Sequence, residues 1–241
     1  MQTLLRILLI SIFLIFYCAS LQAADILTAS HAQLDFTAQG DKSKFLTIRN
    51  AGNNIAYVTI DITRLEQPGT RKAKVIRNKN PKKLGLLVTP TKLILKPQKS
   101  KKIRLINLTN GNDHDVFFRI SASGVKPPQK LEERKTGIGL EVNAGIGTAT
   151  LVIVRPESLK PKLSVKQIGT KLLFTNTGNT TIEIRDISQC IAKKECKTMG
   201  AILLYPGTER TRVSLYKNTT SVLNYTQFYS GIQKKVSFDV Q

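Results

Sequence analysis

Ala56, Val58, Ile60 and Ile62 alternate with Tyr57, Thr59, Asp61 and Thr63, and this period of two buries one face of a β-strand. Short runs of the same character recur at Phe45–Ile48, Leu93–Leu95, Ile103–Ile106, Val116–Ile120, Lys171–Thr175, Thr181–Ile187, Val213–Leu215 and Val236–Val240. Clusters of Asn, Gly, Pro and Lys separate them, and no long helical period competes. Short strands at this spacing predict an all-β chain of the sandwich type.

The chain echoes itself. Leu46-Thr47-Ile48-Arg49-Asn50-Ala51-Gly52-Asn53 is answered by Leu173-Phe174-Thr175-Asn176-Thr177-Gly178-Asn179, each a strand entering an Asn and Gly turn. Further along, Leu95-Lys96-Pro97 before Lys99 and Lys101 is matched by Leu204-Tyr205-Pro206 before Glu209 and Arg210. Two echoes in the same order point to two tandem sandwiches. The apolar run Leu151-Val152-Ile153-Val154 ends at Arg155-Pro156, and a polar stretch bracketed by Pro156 and Pro161 follows. The expected division is therefore a first domain over 24–156, a stiff linker over 157–162 that holds a fixed angle, and a second domain over 163–241.

Residues 1–23 carry a lone Arg6 and then an apolar run from Leu8 to Phe16 that gives way to Cys18, Ser20 and Gln22. The run is too short for a spanning helix and reads as a signal peptide cleaved near Ala23, so no stable membrane insertion is expected afterwards. Lipid attachment at Cys18 is the rival reading, and Tyr17 fits it poorly. Export leaves Cys190 and Cys196, which either pair in an oxidising compartment or stay buried and unpaired.

The formal net charge is +21, which raises the prospect of nucleic acid. Export argues against it. The densest basic stretch, Arg71, Lys72, Lys74, Arg77, Lys79, Lys82 and Lys83, also lacks the interleaved aromatics of a single-strand groove. A solvated loop is the simpler reading, although the charge would still steer encounters with acidic partners.

The most informative segment runs from Ile138 to Gly147. Ile138, Leu140, Val142, Ala144 and Ile146 are apolar, and polar residues or glycine fall between them. As the last strand region of the first domain it lies toward a sheet edge, where charge, proline or bulges normally prevent pairing. Glu141 is its only charge, and it points opposite to the apolar row. A polar loop over Gly124–Gly137 precedes it, and its composition predicts mobility. Such a strand either faces its own core or is added to a partner, with backbone ladders giving affinity and alternating side chains filling pockets.

Four stretches resemble the periplasmic chaperones of the chaperone/usher pathway: Leu87-Val88-Thr89-Pro90 with the hairpin through Leu105, Phe117-Phe118-Arg119-Ile120, Leu140 to Pro156, and the second-domain set Asn176-Thr177-Gly178-Asn179, Arg185-Asp186-Ile187, Cys190, Cys196 and Leu204-Tyr205-Pro206-Gly207. The last looks most like the alternate branch serving colonisation-factor pili. The resemblance implies two immunoglobulin-like domains set at an angle, a pilus subunit bound along the strand bearing Leu140, Val142, Ala144 and Ile146, with Ile138 extending it, and delivery to an outer-membrane usher. It also implies a basic pair that anchors the subunit's terminal carboxylate. By spacing those positions fall near His31 and Leu151, and leucine cannot bind a carboxylate. Arg155, Arg119 and Arg185 are the candidate replacements. For Arg155 an ion pair joining the domains is an equal alternative, and for the other two it is solvated sheet surface.

His31 and His114 are too few and too scattered for a metal cluster. The glycines at 137, 139, 145 and 147 are followed by no helix that would bind phosphate. No spaced nucleophile, base and orienting acid nominates an enzyme, and no cofactor is implied. The readings that remain are a chaperone of pilus subunits and, as its rival, a secreted structural sandwich of a pilus or cell surface.

Overall fold

The computed structural model describes residues 26–37, 40, 42–125, 147–191, 195–216 and 220–240. The leader and the apolar row from Ile138 to Ile146 lie outside the described residues.

The chain forms two tandem β-sandwiches of immunoglobulin type. The first contains β1 (Leu27–Ala29), β2 (Gln33–Phe36), β3 (Ser43–Asn50), β4 (Ala56–Glu66), β5 (Lys74–Ile76), a single helical turn α1 (Pro81–Leu84), β6 (Leu86–Thr89), β7 (Lys92–Leu95), β8 (Ser100–Asn107), β9 (Val116–Val125) and β10 (Thr148–Val154). One sheet has the order β1-β3-β8-β6; the other has the order β2-β10-β9-β4-β5, with β7 also on β4. The second sandwich contains β11 (Leu163–Ile168), β12 (Lys171–Asn176), β13 (Ile182–Ile191), β14 (Glu195–Met199), β15 (Ile202–Leu204), β16 (Glu209–Val213), β17 (Ser221–Tyr229) and β18 (Ile232–Val240). Its sheets are β11-β12-β16 and β14-β13-β17-β18, with β15 on β13.

Alternation does the sorting. On β4, Ala56, Val58 and Ile60 enter the core and meet Leu46, Ile48, Ile103, Leu105 and Phe118. Leu172 and Phe174 on β12 build a separate second core with Ile182, Ile184 and Leu204. Two closed cores, one per sandwich, follow from the period of two.

The two sequence echoes are one structural device used twice. The Asn50 side-chain amide donates to the carbonyls of Asn54 and Leu95, and its oxygen accepts from the Gly52 amide. Asn176 repeats this with Thr180, Leu204 and Gly178. Each buried asparagine thus satisfies a turn and ties it to the strand end before the proline, which is why the echoes recur in the same order.

Cys190 and Cys196 are joined, stapling β13 to β14 across a register pair. Two expectations need correction. The run Val213–Leu215 is strand only at Val213, because the Ser214 hydroxyl donates to the Tyr216 carbonyl and the Leu215 amide donates to buried Gln189, folding the chain out of the ladder. Gly124 and Val125 belong to β9, paired with Val58 and Tyr57, and not to the polar loop expected to begin there.

Candidate functional site

The first strand region is split between the two sheets. β1 pairs antiparallel with β3, whereas β2 pairs parallel with β10, and the chain crosses between them at Ser30–Ala32. That crossing decides what β10 leaves open. β9 covers β10 along its whole length, from Thr148 opposite Ala122 to Val154 opposite Val116. β2 covers the other edge only from Leu151 to Val154, beginning with the Leu151 amide donating to the Ala32 carbonyl at 2.9 Å. Thr150 turns its hydroxyl to the His31 carbonyl at 2.7 Å. In an antiparallel ladder alternate residues present both backbone groups to the same side. Ala149, two residues before Leu151, therefore presents its N–H and C=O outward, beyond the start of β2. Among the described residues no strand pairs this end of β10, and the chain upstream of it is the segment with the apolar row.

The face of β9 and β10 turned away from the first core looks toward the second sandwich. Phe117 is on it and is only 5% exposed, because Tyr205 covers it edge-on, ring centroids 5.2 Å apart. Burial raises the Tyr205 phenol above its ordinary value, while nearby Arg210 and Arg119 pull it down. Gly69, in the turn between β4 and β5, touches the same ring: a Cβ there would sit 2.9 Å from Tyr205 Cδ2.

The three candidate arginines part company. Arg155 is buried at the junction. Its Nε and Nη2 donate to Asp35 at 3.0 and 2.6 Å, and its Nη1 donates to Asp115 at 2.9 Å and to the Thr180 hydroxyl at 3.0 Å. Asp115 also accepts from the Thr181 amide and hydroxyl and from the Thr180 hydroxyl. Asp35 and Asp115 lie in the first sandwich and Thr180 and Thr181 at the start of the second, so this network clasps the two. Burial holds the Asp115 carboxyl above its ordinary value, with Arg155 the largest opposing influence. Neither aspartate stands out in the sequence, and nothing local marks them. Arg185 makes two hydrogen bonds to Glu183 at 2.7 and 2.6 Å, its guanidinium lying 4.7 Å from the centroid of the Phe228 ring. Arg119 is exposed, shares a register row with Leu151 and Thr63, and makes no ion pair among the described residues.

The junction itself is tight. Asn179 accepts from the Lys160 amide and donates to the carbonyls of Ser158 and Asp113. A Cβ on Gly178 would collide with the backbone of Lys160 and Lys162.

Two sandwiches clasped at a buried arginine, with a last strand half uncovered, define the fold of the periplasmic pilus chaperones. The chain superposes on the class 5 fimbriae chaperone CfaA with a TM-score of 0.61 and 23% identity, covering 89% of this chain and 99% of that one. It also superposes, at TM-score 0.61 and 22% identity, on a chain of a chaperone-tip adhesin complex of CFA/I fimbriae biogenesis, covering 88% of this chain and 96% of that one. In sequence it is 28% identical over 186 residues to a CS1 fimbrial protein of Escherichia coli, covering 70% of this chain and 74% of that protein. No protein-family model matches the chain.

Proposed function

We propose that this protein is a periplasmic chaperone of a colonisation-factor type pilus. It holds pilus subunits by lending them a strand, delivers them to an outer-membrane usher, and catalyses no reaction. The observation that carries the reading is the half-covered edge of β10. A strand whose outer edge opens at Ala149, directly downstream of Ile138, Leu140, Val142, Ala144 and Ile146, is placed to continue its ladder into a partner. Burying three or four of those side chains in a subunit groove contributes about 4 to 10 kcal/mol before ordering and association costs. The likeness to fimbrial chaperones supports the same reading, and the subunit partner comes from it.

Within that reading the domains divide at 24–156 and 163–241 about a linker at 157–162, and Arg119 is the cleft cation that receives the subunit's terminal carboxylate. Arg155 is engaged by two aspartates and Arg185 by Glu183, whereas Arg119 stands beside Leu151 without an acidic partner among the described residues. A charge-assisted bond there compensates for the leucine.

The test is capture of a co-expressed subunit from the periplasm. Leu140→Glu with Val142→Glu is expected to abolish the complex while the chaperone stays folded, and Arg119→Ala to weaken it at least tenfold. Undiminished capture by the folded double variant would remove strand donation, and undiminished capture by Arg119→Ala would remove only the anchor.

A further inference from the structure

Between Gln67 and Asn112 the chain has thirteen lysines and arginines and no aspartate or glutamate. All thirteen are exposed, and none forms an ion pair among the described residues. Strand donation does not use them. A solvated surface needs no such exclusion of acids, since mixed charge keeps a protein equally soluble.

The fold gathers part of this charge on one plane. On β3 and β8 the residues Leu46, Ile48, Ile103 and Leu105 are fully buried, so their neighbours point outward. The register sets Arg49 opposite Ser100, Thr47 opposite Lys102 and Phe45 opposite Arg104. β6 adds Thr89 beside Arg104, and β1 adds Thr28 beside Arg49. Arg49 donates to Gln98 and Arg104 to Ser43, both neutral, which leaves the charges uncompensated. In their midst Phe45 is 56% exposed, an unusual place for a large aromatic on a free sheet face.

We propose that this outward face of the β1-β3-β8-β6 sheet rests on the surface of an anionic phospholipid bilayer. The cations stand in a row across a plane of strands and do not converge on one point, which suits a plane of phosphates better than a single acidic side chain. The phenyl ring at their centre matches the headgroup boundary, where an aromatic partly buries without inserting the chain. No helix among the described residues is long and apolar enough to cross a membrane, in keeping with a peripheral contact. The face is distinct from the β10 edge, so the proposal stands apart from strand donation.

The experiment is co-sedimentation of the mature protein with phosphatidylglycerol-rich vesicles and with pure phosphatidylcholine vesicles, at low and high salt. Binding is expected only to the anionic vesicles and to fall steeply with salt. Arg49→Gln, Lys102→Gln and Arg104→Gln together should lower it about a hundredfold, and Phe45→Ser should lower it several-fold. Lys166→Gln, Lys171→Gln and Lys234→Gln, which remove the same charge from the second sandwich, should change it little. Equal loss in both triple variants would reduce the effect to net charge and overturn the proposal. So would absence of binding at low salt, equal binding to phosphatidylcholine, or a defect of the first triple variant confined to an acidic protein partner. Subunit capture, measured in parallel, is expected to be unchanged in both.

Discussion

Asp115 is the residue on which the junction turns. It accepts from Arg155, from both threonine hydroxyls and from the Thr181 amide while buried. Its burial raises the carboxyl above the ordinary 3.8, so the folded state holds that proton more tightly than the unfolded one. Stability from this group is therefore complete below the ordinary value and is lost as pH rises through the raised one. Relative to Asp115→Asn, the native protein should lose stability between acid and neutral pH. Thermal unfolding of the two proteins across that window checks the sign; a native protein that gains on the variant as pH rises would contradict it. The clasp is only half legible in the sequence. Arg155 is marked by its place at the end of an apolar strand, but its partners Asp35 and Asp115 stand 120 and 40 residues away, and only the closed fold brings them together.

At the scale of elements, the strands are legible wherever one face is buried and the other wet. Ala56 to Ile62 and Lys171 to Thr175 are of this kind, because the period of two is itself the record of burial. Short edge strands escape it. β1, β5 and β14 carry too few alternations to stand out, and β2 is hidden because its role depends on the chain changing sheets at Ser30–Ala32. The same crossing, invisible in sequence, is what uncovers Ala149. The linker is legible from Pro156 and Pro161, but the reason it is seated is Gly178, whose missing side chain admits the backbone of Lys160 and Lys162. Gly178→Ala should destabilise the protein by about 1 to 3 kcal/mol, since the atoms in the way are backbone and cannot rotate aside. Chemical denaturation measures the loss, and small-angle scattering should detect a changed disposition of the sandwiches. An unchanged midpoint would show that the linker yields more easily than its hydrogen bonds to Asn179 suggest.

The whole molecule reads as one module duplicated and then specialised. Asn50 and Asn176 hold the same turn in both halves, and the differences lie where function is proposed: the first half ends in a half-covered strand, the second is stapled by Cys190 and Cys196. Contacts at Arg155, at Phe117 with Tyr205, and at Asn179 join the halves through several elements at once. A clasped pair keeps the cleft beside β10 open and pre-organised, which lowers the ordering cost of binding a partner.

The measurement that tests the account most directly is amide hydrogen exchange of the protein alone and in complex with its own pilus subunit. New protection is predicted at Ala149 and across Ile138 to Ile146 on complex formation, with the amides of Leu151 and Arg155 already slow because β2 holds them. A stable complex whose protection falls elsewhere, with Ala149 exchanging as in the free protein, would contradict strand donation from this edge.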